Sequence, residues 1–373
     1  MKKTMRSFLI TLSSILVLLA SCQPAPRVES QGEYTLQITQ IDTTAFPLVD
    51  VYISVLDAQG EPVVINTNKL QLLENGQPVD NQSIRGAGEV GPFTTILLVD
   101  NSGSMEYSNK LESAKEAAKV FLEQMRSGDQ AGIIAFNTEV RVVQEITTDQ
   151  EALSAAVDSI TAQRDTAIYD ALAVAVDMLN PVEGRKAIIL LTDGMDNQSS
   201  ATPDDVLGSI GFGGLSISTV GFGEIPEGEE EADEYSGIDE NTLRFIADAA
   251  GGRYSYAADR AELTSIYDVM RRALQSEVVI SYATPMNLRD GVARALTVTL
   301  IDRYQGLGGE SETRYNPGGL VPEVSQPASW LVFGIILAIL IILLLIPLII
   351  KMFTKKDSRS REKKKKIKIT LKD

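Results

Sequence analysis

The sequence predicts an α/β fold: a doubly wound, mostly parallel sheet flanked by β-sandwich-like segments, with one C-terminal transmembrane helix. Three observations carry this. Apolar runs of strand length alternate with amphipathic helical runs from about Phe93 to Leu274. Period-two patterns lie on both sides of that segment. One uncharged stretch, Trp330 to Ile350, has the length of a membrane span.

The chain starts with a secretory signal. Lys2, Lys3 and Arg6 precede a mainly apolar run, Phe8 to Leu19, which is too short to remain as a spanning helix. "LASC" (Leu19–Cys22) follows, and its small residues before the cysteine resemble the lipobox of bacterial lipoproteins. That resemblance implies removal of residues 1–21 and a lipid anchor on Cys22. A plain cleaved signal is the alternative. Cys22 is the single cysteine of the 373 residues, so an internal disulfide is excluded.

Residues 31–90 form a β-rich flank. Tyr34, Leu36 and Ile38 alternate, as do Val49, Val51, Ile53 and Val55, and the turns fall at "DAQG" (Asp57–Gly60) and "ENGQ" (Glu74–Gln77). Residues 277–302 repeat the style in Val278–Tyr282 and Leu296–Leu300. Together the flanks supply roughly the 100 residues of an immunoglobulin-like sandwich, with the α/β segment inserted between them. Two separate small β units are the alternative.

Within 93–274 the candidate strands are Thr94–Asp100, Ala131–Phe136, Val140–Ile146, Ala187–Thr192, Ser216–Phe222 and Arg253–Tyr256. Most are unbroken apolar runs, as strands covered on both faces require. Leu153, Ala156, Val157 and Ile160 mark one helical face, and Leu243, Ile246, Ala247 and Ala250 another. "TDQE", "TPDD" and "DRAE" each place a cap before an acid three residues on. Gly128, Gly184 and Gly251 sit where helices should stop.

Residues 303–328, with "GLGGES" and "NPGG", read as a linker or stalk. Beyond the expected span at 330–350, residues 351–373 carry eleven Lys/Arg against three acids, which marks that tail as cytoplasmic. The expected location is therefore a bacterial cell membrane, single-pass, with the bulk of the chain extracytoplasmic. The chain's formal charge is −16. Without signal and tail, 20 basic and 47 acidic residues remain, or −27, which argues against nucleic acid as a partner.

The chemistry gathers at strand ends. Ligands of open α/β sheets bind beyond the carboxyl ends of the strands, where strand order reverses. Asp100 ends the first apolar strand and is followed by Ser102 and Ser104, and Asp193 ends the fourth. In the order 3-2-1-4-5-6 those strands are neighbours, so the two aspartates face one crevice. The chain has no histidine, which removes the commonest general base and metal ligand and excludes a Ser-His-Asp triad. No Gly-x-Gly-x-x-Gly follows the first strand, and an EF-hand loop fails because Met105 stands where glycine is needed. The chain is expected not to be an enzyme.

"DNSGSM" (Asp100–Met105) resembles the Asp-x-Ser-x-Ser signature of von Willebrand factor type A domains. Thr166 in "RDTAIYDAL" and Asp193 in "LLTDGMDN" match the threonine and aspartate that complete that family's metal-ion-dependent adhesion site. "TVGFG" (Thr219–Gly223) and "AGGRYSYA" (Ala250–Ala257) are similar to bacterial members. The resemblance covers residues 93–274. It implies Mg²⁺, with Mn²⁺ or Ca²⁺ as alternatives, held by Asp100, Ser102, Ser104, Thr166 and Asp193, with Asp193 acting through water. An open sixth position would then take an Asp or Glu carboxylate of a protein ligand, a role suited to a small cation that prefers oxygen and octahedral geometry. Family members often move their last helix on ligand binding.

Two features depart from the family pattern. Arg164 and Asp165 stand where small residues are usual. The loop after the fifth strand holds nine acids between Glu224 and Glu240. It is either a solvated loop or a gate, with Glu227, Glu229, Glu230, Glu231, Asp233 and Glu234 supplying a carboxylate to the open position. The expected function is a cell-surface or periplasm-facing, metal-dependent protein-binding module anchored in the membrane. An envelope assembly or chaperone factor working with an ATPase is the alternative.

Overall fold

The protein is described from a computed structural model covering residues 34–79, 83–86, 90–163, 165–223, 237–300, 309–319, 333–341 and 344–346. Cys22, Arg164, the acidic stretch 227–234 and the basic tail lie outside the described residues.

The chain opens with β1 (Tyr34–Asp42), β2 (Leu48–Asp57), β3 (Leu70–Glu74), β4 (Gln77–Pro78) and β5 (Ser83–Arg85). The α/β segment follows as β6 (Phe93–Asp100), α1 (Lys110–Glu123), β7 (Gln130–Phe136), β8 (Val140–Thr147), α2 (Gln150–Asp158), α3 (Ile168–Leu179) and β9 (Arg185–Thr192). It continues with α4 (Pro203–Ser209), β10 (Ser216–Phe222), α5 (Glu240–Ala249), β11 (Gly251–Ala257) and α6 (Arg260–Ser276). Three strands then close the β part: β12 (Val278–Ala283), β13 (Arg294–Leu300) and β14 (Glu310–Tyr315).

Among the described residues the central sheet has six strands in the order β11-β10-β9-β6-β7-β8. It is mixed: β8 runs antiparallel to β7, and the other pairs are parallel. β6 and β9 are buried at every residue, which is why they read as unbroken apolar runs. One core layer packs α1, α2 and α6 on the sheet through Phe121, Leu153 and Tyr267. The other packs α3, α4 and α5 through Leu172, Val206 and Ile246. β6 and β9 lie side by side with Val99 opposite Leu191, so Asp100 and Asp193 leave the sheet together at its carboxyl edge.

The strands of the two flanks pair with one another. β12 lies between β2 and β5, and β13 lies between β3 and β14. The two four-stranded sheets share a core containing Val51, Ile53, Leu72, Ile280, Tyr282 and Val298. The alternating burial of β3 and β13 matches sheets with one face on a core.

The linker expected over 303–328 is interrupted by β14. Its residues are mostly polar, but Ser311 Oγ accepts the backbone N–H of Ile38 at 3.1 Å and Tyr315 is buried. The alternation there is of half-buried Ser and Thr with Glu and Arg, which hydrophobic periodicity does not register. Helical backbone occurs at 333–341 and 344–346, within the expected membrane span. Among the described residues no helix is long and apolar enough to cross a membrane.

Candidate metal centre

β6 delivers Asp100 into a fully buried position at the strand end. The loop then turns sharply. The Ser102 backbone N–H donates to Asp100 Oδ1 at 2.8 Å, and the Thr192 hydroxyl at the end of β9 donates to Asp100 Oδ2 at 2.6 Å. Asn101 secures the loop from below: its backbone N–H donates to the Phe136 carbonyl at 2.9 Å and its side-chain amide to the Thr161 carbonyl at 2.6 Å. A 3-10 run at Gly103–Asn109 leads into α1, with Ser108 and Asn109 at positive φ. That reversal sets Lys110, the first residue of α1, back towards the strand ends.

The hydroxyls converge. Ser102 Oγ and Ser104 Oγ are 3.0 Å apart, and Ser104 Oγ donates to Asp193 Oδ1 at 2.7 Å. Lys110 Nζ lies 2.7 Å from Asp193 Oδ2. Thr166 is buried on the loop before α3, with its backbone N–H on Asn197 Oδ1 at 3.1 Å and its carbonyl taking the Asn197 N–H at 3.1 Å. Ser102, Ser104, Thr166, Gly194, Asp196 and Asn197 line one cleft of about 560 Å³.

Asp100, Ser102, Ser104 and Asp193 are therefore joined in one network, and Thr166 faces the same cleft. Asp165 lines the cleft as well, exposed and at φ 58°, a conformation that aspartate tolerates better than most residues. Sequence reasoning missed three participants. Thr192 holds Asp100. Lys110 neutralises Asp193. Asp196 accepts the Ile168 N–H at 2.6 Å and the Tyr169 N–H at 3.2 Å, capping α3, whose own N-cap residue Ala167 has no side-chain cap bond.

The electrostatics favour an added cation. Burial, then the charge of Asp193, push Asp100 up to about 7, against the hydrogen bonds from Thr192 and Ser102. Two buried carboxylates at one spot destabilise each other's charge, and Lys110 reaches only the far oxygen of one of them. The donors are hydroxyl and carboxylate oxygens, the set that suits a hard divalent ion. Thr166 Oγ1 makes no hydrogen bond among the described residues. The residues present thus fit such an ion.

The family model of the von Willebrand factor type A domain matches residues 95–195, the stretch that begins just before Asp100 and ends just after Asp193. A UPF0353 protein of Mycobacterium marinum is 30% identical over 234 residues, covering 56% of this chain and 69% of that one. The chain belongs to the family of this UPF0353 protein and carries a von Willebrand factor type A domain. A UPF0353 protein of Nocardia farcinica is 28% identical over 213 residues, 49% of this chain and 64% of its own. Among solved structures, a von Willebrand factor type A protein from Catenulispora acidiphila is similar with a TM-score of 0.44 at 18% identity, covering 77% of this chain and 75% of that one. An aerotolerance-related membrane protein from Bacteroides fragilis is similar with a TM-score of 0.41 at 22% identity, over 49% of this chain and 98% of that one. The von Willebrand factor type A domain is, in general terms, a protein-interaction or adhesion module.

Proposed function

We propose that this von Willebrand factor type A protein grips a protein partner through a divalent cation, Mg²⁺ first, and is a binding module, not an enzyme. One observation carries the reading: Ser102, Ser104 and Asp193 form a continuous chain of oxygens at 3.0 and 2.7 Å beside buried Asp100, with Thr166 on the same cleft. Ser102, Ser104 and Thr166 would hold the ion through hydroxyls, and Asp100 and Asp193 would balance its charge through bound water. A bound Mg²⁺ supplies an electrophilic position for a partner's Asp or Glu carboxylate. The chain's own residues do the rest. Thr192 and the Ser102 N–H fix the Asp100 carboxylate, and Asp196 fixes the start of α3 beneath Thr166.

The lack of any histidine supports binding over catalysis. Anchoring belongs to the same proposal: a lipid on Cys22, a crossing at 330–350 and a cytoplasmic basic tail, so that the cleft faces outward. The test is calorimetric titration of Mg²⁺ into the full-length chain. One-site binding is expected, lost in Asp100→Ala and Ser102→Ala with far-UV circular dichroism unchanged. Equal binding by both variants and the native chain would overturn the reading.

A further inference from the structure

A second cavity, of about 220 Å³, lies far from the strand ends that carry Asp100 and Asp193. It is lined from β1, β2, the early residues of β9, β10 and β11, and helix α6. Two glycines at the start of β11 permit its close approach to β1 and to β10. Gly251 has φ 67°, and a Cβ on it would sit 2.7 Å from the Thr39 carbonyl oxygen; one on Gly252 would collide with the backbone of Ile217. Gln37 reaches across and donates to the Gly252 carbonyl.

The cavity has two unlike walls. Ile266, Val269, Met270 and Leu274 of α6 form the apolar one. The other carries Thr39 and Ser54, only 7% and 3% exposed, whose hydroxyl oxygens have no hydrogen-bond partner among the described residues. Burying a hydroxyl without a partner is unfavourable, so a pair of them at one cavity marks it for a polar guest.

Charge decides what kind of guest. Besides Arg253, three charged side chains line this cavity: Glu61, Arg185 and Glu277. Glu61 is paired with Arg272 at 2.6 Å, and Glu277 with Arg185 through Nη2 at 2.7 Å. Arg253, by contrast, donates its backbone N–H to Ser218 Oγ at 3.3 Å, and its guanidinium forms no hydrogen bond or ion pair among the described residues. That guanidinium reaches the Gly60 turn, which lines the same cavity. Burial lowers the pKa of Arg253, as for a cation without an acid beside it.

We propose that this cavity binds a small aliphatic or aromatic monocarboxylate, its carboxylate on the Arg253 guanidinium and the Thr39 and Ser54 hydroxyls, its apolar body along α6. A guanidinium fork matches a carboxylate in two parallel hydrogen bonds. A cavity of about 150 Å³ accepts benzene, so this one takes roughly eight to ten non-hydrogen atoms. Hexanoate has that size. The site is independent of any metal in the Asp100 cleft.

The experiment titrates hexanoate, and hexanamide as its uncharged counterpart, into the full-length chain by calorimetry. Hexanoate binds one to one and hexanamide about tenfold more weakly or less, the worth of a charge-assisted hydrogen bond pair. Arg253→Gln weakens hexanoate by a similar factor, and Val269→Trp fills the apolar wall and abolishes binding with Arg253 intact. Circular dichroism checks both variants, and if Arg253→Gln is misfolded, Val269→Trp and the Thr39→Val/Ser54→Ala pair decide. No binding by the native chain means the cavity holds water only, and binding that ignores these substitutions places hexanoate elsewhere. Either result overturns the site.

Discussion

Lys110 Nζ sits 2.7 Å from Asp193 Oδ2, while the other oxygen of that carboxylate receives the Ser104 hydroxyl, also at 2.7 Å. The lysine is the counter-charge of the cleft's own making. It starts α1, and the reversal at Ser108 and Asn109 brings it there. A divalent ion drawn to Asp193 competes with that ammonium. Lys110→Gln should therefore raise Mg²⁺ affinity about two- to fivefold, the worth of a partly exposed ion pair. Calorimetric titration of the variant measures it, and a weaker affinity than the native chain's would show that Lys110 positions Asp193 instead of shielding it.

A second prediction concerns Asp100. Burial and Asp193 raise its pKa to about 7. The folded, metal-free chain then binds more protons than the unfolded one between the ordinary carboxylate range and about pH 7, so its stability falls as pH rises through that window. Asp100→Asn removes the charge and keeps groups that can pair with Thr192 and the Ser102 N–H. Without metal at pH 8 the variant should melt above the native chain, and the gain should shrink on acidification. Added Mg²⁺ should raise the melting temperature of the native chain alone. Thermal melts at two pH values, with Mg²⁺ and with chelator, separate these outcomes.

Asp196 yields a third. It caps α3 through the N–H groups of Ile168 and Tyr169, just beyond Thr166 in the chain, and takes the Ser199 hydroxyl at 2.5 Å. Asp196→Ala should cost about 1–2 kcal/mol, the worth of a cap, and should also weaken Mg²⁺ binding by loosening Thr166. Asp196→Asn keeps an acceptor and should recover most of both. Urea unfolding and Mg²⁺ titration on the same samples check the pairing; loss of stability with unchanged affinity would detach the cap from the cleft.

The legible parts of this fold are those whose physics is local. Strands β6 and β9 are buried on both faces, so their apolar runs, and the aspartates that end them, stand out in the sequence. The serines of the turn stand out for the same reason, polar residues directly after a buried strand. Illegible features depend on contacts distant in the chain. Nothing near Lys110 predicts Asp193, 83 positions on, and nothing near Asp196 predicts the start of α3. β14 hides because its half-buried positions are Ser and Thr, while β12 pairs with β2 across more than 200 residues. Period-two patterning reveals that a strand exists, not its neighbour.

The last prediction tests a buried ion pair at the foot of β9. Arg185 and Glu277 are 2% and 1% exposed and bonded through two guanidinium nitrogens, with Gln40 Oε1 accepting from Arg185 Nη1 at 2.9 Å and Ser216 Oγ within 3.1 Å of Nη2. Glu277 follows α6 and precedes β12, so this pair joins the sheet's base to the point where the chain leaves the α/β segment. Glu277→Gln leaves the guanidinium buried without its counter-charge, which should cost about 3–5 kcal/mol. Arg185→Met with Glu277→Leu removes both charges together, and because desolvating an ion pair consumes most of its attraction, the double variant should be more stable than Glu277→Gln alone. Urea unfolding of the three chains decides: if the double variant falls below Glu277→Gln, the pair's hydrogen bonds to Gln40 and Ser216 outweigh the charge it buries.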